Sequence, residues 1–270
     1  MGVMMGEFVR NTLVLLSAAW LTGAVADAPK IAIVIDDLGY LAVNDRQVMA
    51  LDPRIAVAII PDGPLAPSLS RQAAGQHRDV LIHLPLPGVS HDNCEFEAIC
   101  VEPEWSPLRM AGHLRWAMER VDHAIGINNH QGSRFTADRE AVRRLVTGIA
   151  LLQHLHDIDL FVLDSRTTAQ SRLEHKARTA GLPTARRHVF LDHDPSPDAI
   201  EAAWESLLEL ARKRGSAIAI GHPHTETIQF LKRAVPQLAA RGVELVSIRD
   251  LLERPHGSGD SDPQLPVVLP

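Results

Sequence analysis

The chain has 270 residues, a length that suits one large α/β domain with a sizeable core. Its formal net charge is -6 and its sequence pI is ≈ 6.1, while Lys and Arg are scattered rather than clustered. This composition excludes the strongly basic surface that nucleic acid needs, so we expect no nucleic-acid partner.

The first 26 residues carry the pattern of a secretory signal peptide. Arg10 precedes an apolar stretch from Leu13 to Leu21, and Ala24-Val25-Ala26 places small residues where a signal peptidase cuts. The pattern predicts a signal peptide at residues 1–26 and a periplasmic or secreted mature chain. Because the apolar run is shorter than the about 20 residues of a membrane span, we expect no stable span after cleavage. An uncleaved anchor or a buried helix is the alternative.

Short strand-like runs alternate with helical patterns along most of the chain. The runs occupy residues 31–35, 55–60, 79–84, 124–128, 159–163, 188–191, 216–220 and 243–247. Helices are predicted over 138–155 and 196–214, and Ser196 is the expected N-cap of the second. A further helix is predicted to begin at Ser106-Pro107. This alternation is typical of repeated βα units.

The predicted fold is therefore a single α/β domain over residues 27–255. We expect a distorted (β/α) barrel of about seven or eight parallel strands. From residue 256 to 270, Gly, Ser, Asp and Pro dominate, which predicts a flexible, solvated tail. The only cysteines, Cys94 and Cys100, lie in a loop-like stretch, and the pattern allows either a local disulfide or two free thiols.

Acidic, histidine and amide side chains stand where the apolar runs stop. They are Asp36-Asp37 after 31–35, His83 after 80–82, Asn128-Asn129-His130 after 125–127, Asp164 after 161–163 and His222 after 217–220. The carboxyl ends of parallel strands converge on one face, so we expect these side chains to share one pocket. Asp and His donors with open positions suit a divalent metal such as zinc. The pattern predicts a metal-assisted hydrolase.

Each of these features also has a plain structural interpretation. Asp36-Asp37 before Gly39 is typical of a turn or a helix cap, and a lone His83 is typical of a hydrogen-bonded core residue. Residues 128–136 could form a polar loop in which Gly132 allows a sharp turn into the next helix.

Several strings taken together are more specific than any single residue. In order within about residues 29 to 254, the chain contains IAIVIDDLGY, LIHLPLP, GINNHQGSRFT, FVLDSRTT and AIAIGHPHTETI. Together they closely resemble the divergent polysaccharide deacetylase family, a distant branch of the NodB-like carbohydrate esterases. The resemblance implies a distorted (β/α) barrel, a bacterial envelope location and a metal site at the strand ends.

The resemblance also implies roles for individual residues. Asp36 resembles the catalytic-base aspartate of the first NodB motif, and Asp37 resembles its metal-binding neighbour. His83 lies where the second motif supplies a metal histidine, but the HxxxH spacing of that motif is absent because position 87 is proline. We therefore assign the second metal histidine to His130.

Two further positions match the family's motifs. His222 resembles the histidine of the final motif that acts as the catalytic acid, and Asp164 resembles the acidic motif that supports the catalytic site. The arginine-proline motif of ordinary NodB enzymes is replaced by Asn128-Asn129-His130.

These observations lead to the hypothesis of a metal-dependent deacetylase that acts on an N-acetylated envelope or extracellular polysaccharide. Asp37, His83 and His130 would hold a divalent metal, with zinc favoured. Asp36 would accept a proton from the attacking water, and His222 would protonate the leaving amine. The expected partner is a polysaccharide or a peptidoglycan-like glycan.

Two alternatives use the same pocket. One is a non-catalytic periplasmic protein that binds glycan or regulates envelope enzymes, because a fold and a ligand geometry do not guarantee turnover. The other is an amidase acting on peptide amides. With four Trp, one Tyr and six Phe, stacking surfaces for long sugar chains are scarce, which favours a small or atypical substrate.

Overall fold

The computed structural model describes residues 27–89 and 100–252. The predicted signal peptide at 1–26, the predicted tail at 256–270 and Cys94 lie outside the described residues. Cys100 is disulfide-bonded, and Cys94 is the only other cysteine of the chain. Within the described ranges, no helix is long and apolar enough to cross a membrane.

The described residues form a curled sheet of parallel strands surrounded by helices. In chain order the strands are β1 (Lys30–Leu38), β2 (Ala56–Ile59), β3 (Val80–Leu86), β4 (Gly126–Gln131), β5 (Phe161–Asp164), β6 (Thr184–Arg186), β7 (Val189–Phe190), β8 (Ser216–Gly221) and β9 (Glu244–Leu245). Their order in the sheet is β6-β5-β4-β3-β2-β1-β8-β7, and β9 adds a short pairing to β1. Every pairing is parallel, which confirms the predicted α/β architecture.

The two ends of the sheet belong to one stretch of chain. β6 pairs with β5, and β7, which begins after only Arg187 and His188, pairs with β8. The backbone N–H of Arg187 still donates to Asp164 O at 2.9 Å, whereas that of His188 donates to Ile218 O at 2.8 Å. The chain changes partner between these two residues, so the sheet curls into a distorted barrel whose seam lies at this point.

The helices pack around the outside of the sheet. They are α1 (Ala42–Met49), α2 (Ala66–Gly75), α3 (Pro107–Arg120), α4 (Ser133–Ala137), α5 (Arg139–His156), α6 (Leu173–Thr179), α7 (Pro197–Arg214) and α8 (Thr225–Ala234). Ser106 caps α3 as predicted, because its Oγ accepts from Arg109 N at 3.2 Å. Ser196 occupies the N-cap position of α7 without a side-chain capping bond. Along α5, Val142, Leu145, Val146, Ile149 and Leu152 are buried, whereas Leu155 is exposed.

Side chains along each strand alternate between two apolar clusters. In β1, Ile31, Ile33 and Ile35 belong to the cluster that also contains the helix residues. Ala32 and Val34 belong to a second cluster built from alternate residues of the strands around the sheet. This second cluster fills the barrel interior, where alanines alternate with larger side chains such as Leu81 and Phe161.

Several strands run further than their apolar segments predict. β1, β3 and β4 continue to Leu38, Leu86 and Gln131, so the polar residues after the apolar runs are still paired in the sheet. β6 has no counterpart among the predicted strands, and β9 is shorter than the predicted run 243–247. β1, β3 and β4 are longer than predicted because polar side chains at the barrel mouth end an apolar run, whereas the backbone hydrogen bonds between the strands continue.

Candidate metal and catalytic site

The predicted site residues other than Asp164 form a polar layer on top of the inner apolar cluster. Asp36 is the next inward-facing residue of β1 after Val34, and His83 follows Leu81 on β3 in the same way. The same alternation places His222 just after β8. Because side chains two residues apart on a strand share a face, the barrel brings these groups together at the carboxyl ends of its strands.

Asp37 reaches the same layer through a backbone irregularity. Strict alternation would turn it away from Asp36, but the register between β1 and β2 shifts between Ile35 and Leu38. Asp37 itself has a φ of 61°, a left-handed conformation that is uncommon for a residue other than glycine. This bulge allows two consecutive carboxylates to face one site, and strain of this kind is characteristic of functional positions.

Three potential ligand atoms converge at this point. Asp37 Oδ1 lies 3.0 Å from His83 Nε2 and 2.8 Å from His130 Nδ1, and the two nitrogens are 3.1 Å apart. These atoms form one of the groups in the described ranges that could hold a metal ion. The structure therefore brings together the three residues predicted as metal ligands.

The state of Asp37 fits such a role. Its Oδ1 atom is buried, and no donor among the described residues makes a hydrogen bond of acceptable geometry to it. Burial alone would raise the pKa of Asp37, but His130 and His83 outweigh burial and hold the pKa well below its usual value. An ionised oxygen that faces two imidazole nitrogens without satisfying them matches the donor set that zinc prefers.

Asn128 on β4 connects the metal candidates with Asp36. Its Nδ2 donates to Asp36 Oδ1 at 2.9 Å and to Ser165 Oγ at 3.1 Å. Its Oδ1 is therefore the acceptor for His83 Nδ1, 2.9 Å away. The proton of a neutral His83 then resides on Nδ1, and the lone pair on Nε2 faces Asp37 and His130. Hydrogen bonds of this type orient metal-binding histidines in proteins.

Asp36 has the environment of a proton acceptor. Its side chain is buried, and its Oδ2 lies 3.7 Å from His83 Nε2. Burial raises the pKa of Asp36, although the charges of His83 and His222 oppose this shift. A carboxylate with a raised pKa is a stronger base near neutral pH than an exposed one.

His222 faces this group from the other side and is held by Asp192. Its Nδ1 donates to Asp192 Oδ1 at 2.9 Å, and its backbone N–H donates to Asp192 Oδ2 at 2.7 Å. Thr227 Oγ1 also donates to Asp192 Oδ2, at 2.7 Å. The Nε2 atom of His222 points toward Asp37, with 3.9 Å to its Oδ2.

These contacts favour a protonated His222. Burial opposes protonation, but the hydrogen bond to Asp192 and the charges of Asp37 and Asp36 outweigh it and raise the pKa of His222 to about 8. His222, Asp192 and the exposed His224 form a second group that could hold a metal ion. However, the Nδ1 of His222 is already bonded to Asp192, so the arrangement suits a histidine that donates a proton.

The structure places Asp164 outside the polar layer that the other predicted site residues form. Its Oδ1 accepts from Arg166 N at 2.8 Å, and its Oδ2 accepts from Ser171 Oγ at 2.7 Å and Glu174 N at 3.2 Å. The neighbouring Leu163 faces the barrel interior, so alternation turns Asp164 to the opposite face. Asp164 fixes the loop after β5 and the start of α6, and it acts on the site only through that loop.

Three residues of the site are absent from the sequence-based assignment of roles. Asp192 follows the predicted strand 188–191, so the rule that located Asp36 and His222 also applies to it. Asn128 was noted without a role. Arg187 lies at the seam, where its guanidinium donates to Ser165 O at 2.6 Å and Arg166 O at 2.7 Å, and the charges of Asp36 and Asp164 act on it. A seam between two short strands leaves no pattern in the sequence.

Comparison with known sequences is consistent with this arrangement. The model of the divergent polysaccharide deacetylase family matches residues 33–252. The uncharacterized protein YibQ of Escherichia coli (strain K12) is 34% identical over 260 residues, which cover 96% of this chain and 78% of that protein. An uncharacterized protein of Haemophilus influenzae is 36% identical over 251 residues, which cover 93% of this chain and 86% of that protein.

Solved structures share the fold at lower identity. An uncharacterized protein from Agrobacterium tumefaciens C58 superposes with a TM-score of 0.75 at 21% identity, covering 85% of this chain and 91% of that one. A mutant of BA3943, a CE4 family pseudoenzyme with restored enzymatic activity, superposes with a TM-score of 0.51 at 13% identity, covering 84% and 69%. The fold is thus that of the NodB-like α/β barrels. The chain belongs to the divergent polysaccharide deacetylase family.

Proposed function

We propose that the protein is a metal-dependent hydrolase that deacetylates an N-acetylated envelope or extracellular polysaccharide. The observation that carries the proposal is the convergence of Asp37 Oδ1, His83 Nε2 and His130 Nδ1 within 3.1 Å of one another. A buried base, Asp36, lies 3.7 Å from His83 Nε2, and His222, whose pKa is raised, lies 3.9 Å from Asp37 Oδ2. Amide hydrolysis needs this combination of a cation site, a proton acceptor and a proton donor.

The three convergent donors would hold the ion, and zinc is favoured because one carboxylate and two imidazoles leave a coordination position open. A divalent ion bound there would lower the pKa of a water molecule and polarise the substrate carbonyl. Asn128 Oδ1 accepts a hydrogen bond from His83 Nδ1–H, which leaves the lone pair of Nε2 on the side where the ion would bind.

The chain's own acid and base perform the proton transfers. Asp36 Oδ2 accepts the proton of the attacking water, since Oδ1 is already bonded by Asn128. His222 Nε2 delivers a proton to the leaving nitrogen, while Asp192 holds the ring through Nδ1. Both pKa values are raised, but the two groups serve different roles. Burial makes Asp36 a better base, and the surrounding carboxylates keep His222 protonated near neutral pH.

The decisive experiment measures metal and turnover on the same preparation. Purified protein is analysed for bound elements and incubated with chito-oligomers and with peptidoglycan, and released acetate is quantified. We expect one divalent ion per chain and acetate release that a chelator abolishes and added zinc restores, with Asp37→Asn as the metal-deficient control. Bound metal without acetate release from either glycan would contradict the proposal and favour a glycan-binding or regulatory protein.

The proposed substrate also requires that the protein leave the cytoplasm. We expect the mature chain to begin at Asp27, after Ala24-Val25-Ala26. N-terminal sequencing of protein recovered from the cell envelope and the growth medium tests this expectation. Intact Met1 on protein confined to the cytoplasm would contradict it.

A further inference from the structure

A polar cavity lies at the seam of the barrel, away from the polar layer. Its volume is ≈ 530 Å³, and residues of α6, of the β6–β7 stretch and of the start of β8 line it. Ser216, which lines the cavity, is the first residue of β8, whereas His222 follows the last one. At the rise of a β-strand, about 20 Å of chain separates the two positions.

The lining of this seam cavity carries an excess of positive charge. Arg178, Arg186 and Arg214 line it, together with one acid, Glu174. Glu174 is shared between two of them, because its Oε1 accepts from Arg178 Nη2 at 2.6 Å and its Oε2 accepts from Arg186 Nη1 at 3.4 Å. The Arg214 guanidinium makes no hydrogen bond or ion pair with any residue in the described ranges. This local excess contrasts with the net charge of -6 of the whole chain.

His188 adds a neutral hydrogen-bond donor to the same lining. Its Nδ1 accepts from the backbone N–H of Ile218 at 3.0 Å, so the proton of the neutral ring is on Nε2. Burial lowers the pKa of His188 to about 4, and the positive charges of Arg214 and Arg186 contribute. The ring is therefore neutral at physiological pH. The same positive potential that disfavours a proton on His188 favours a bound anion.

We propose that the seam cavity binds a small ligand carrying a phosphate-type oxyanion. Guanidinium groups offer paired N–H donors that match such oxygens, and Arg214 is available for this contact. The volume lies in the range of small-molecule sites and exceeds what an oxyanion alone fills, so the cavity accommodates an organic group as well. A phosphorylated sugar and free inorganic phosphate are the two sources of this chemistry.

Calorimetric titration of the mature protein near neutral pH and at low salt tests the proposal. The probes are inorganic phosphate and N-acetylglucosamine 6-phosphate. We expect saturable binding of at least one of them, and Arg214→Gln and Arg186→Gln should each weaken it at least about tenfold. The matched control is Arg212→Gln, because Arg212 lies on the same helix α7, is exposed and does not line the cavity.

Each outcome has a defined meaning. Tighter binding of the sugar phosphate than of phosphate assigns the site to a phosphorylated glycan fragment, and equal binding assigns it to free phosphate. The proposal is overturned by the absence of binding up to on the order of 10 mM of either probe, or by unchanged affinity in Arg214→Gln. Because Arg186 also bonds Glu174, circular dichroism of Arg186→Gln checks its fold. Arg214→Gln decides the test, since the Arg214 side chain is exposed and has no partner within residues 27–89 and 100–252.

Discussion

Asn128 Oδ1 lies 2.9 Å from His83 Nδ1, and this contact decides which nitrogen of His83 faces Asp37 and His130. The amide of Asn128 cannot turn over freely, because its Nδ2 is committed to Asp36 Oδ1 and Ser165 Oγ. One buried side chain therefore links the proposed base with a proposed metal ligand. The link gives Asn128 a positioning role that can be separated from a merely structural one.

We expect Asn128→Leu to lower metal affinity by about 10–100-fold, the usual effect of losing the hydrogen bond that orients a metal-binding histidine. Leucine has a similar size but cannot accept a hydrogen bond from His83 Nδ1–H. Zinc affinity is measured by competition with a chromogenic chelator, independently of turnover.

Asn129→Leu is the matched control for this prediction. Asn129 is buried on the same strand, but its side chain bonds Ser165 N at 2.9 Å and Gln131 O at 2.7 Å instead of a histidine. We expect Asn129→Leu to reduce stability and to leave metal affinity near that of the parent protein. Equal losses of affinity in both variants would show that Asn128 has no specific positioning role.

The adjacent acids should separate into a base and a ligand. Asp36→Asn retains an oxygen that can accept from Asn128 Nδ2, so we expect it to keep its metal and to lose about 10²–10⁴-fold in turnover. Asp37→Asn should instead lose metal, because it removes the charged oxygen between His83 and His130. Metal content and acetate release are measured for both. If both residues only shape a turn, the two variants will change stability alike and neither will change metal content selectively.

The sequence predicts the meeting of Asp37, His83 and His130 because parallel strands direct their carboxyl ends to one face. It does not predict how the strands continue there. The predicted strand 124–128 ends before Asn129 and His130, yet His130 is still paired with Pro85 in the sheet. Apolar side chains indicate burial, whereas backbone pairing can continue through polar side chains that face a site.

The sequence also does not predict which face of the sheet the last side chain of a strand points to. The run Phe161-Val162-Leu163 is apolar on both faces, so it carries no period-2 signal that would assign Asp164 to one side. Asp192 differs from Asp164, because it directly follows the predicted strand 188–191 and the strand-end rule therefore reaches it, although β7 itself has only two residues.

Because Asp192 bonds His222, we expect the stability of the fold and the titration of the His222 ring to depend on pH in a defined way. His222 has a folded-state pKa raised from 6.5 to about 8, so its stabilising contribution is complete below pH about 6.5 and is lost as pH rises through about 8. Asp192→Asn removes the nearest negative charge and should move the titration of His222 to lower pH. Proton NMR of the histidine rings in metal-free protein measures this shift.

Thr227→Val is the control for the effect of charge. It removes the hydrogen bond from Thr227 Oγ1 to Asp192 Oδ2 but leaves the carboxylate in place. We expect it to shift the pKa of His222 less than Asp192→Asn does. A titration of His222 that is the same in Asp192→Asn as in the parent protein would contradict the proposed pairing.

The turn after β4 should depend on glycine at position 132. Gly132 has a φ of +81°, and a Cβ added there would lie 2.8 Å from Leu86 Cβ. We expect Gly132→Ala to lower the free energy of unfolding by about 1–3 kcal/mol, because alanine disfavours this backbone conformation and crowds Leu86.

Gly112→Ala is the matched control: Gly112 lies within α3, and an added Cβ meets nothing within 4 Å. There the same substitution should raise the free energy of unfolding by about 0.5–1 kcal/mol, because alanine is the better helix former. Urea unfolding of both variants measures the contrast, and a Gly132→Ala protein as stable as its parent would show that the turn adopts a different conformation in solution.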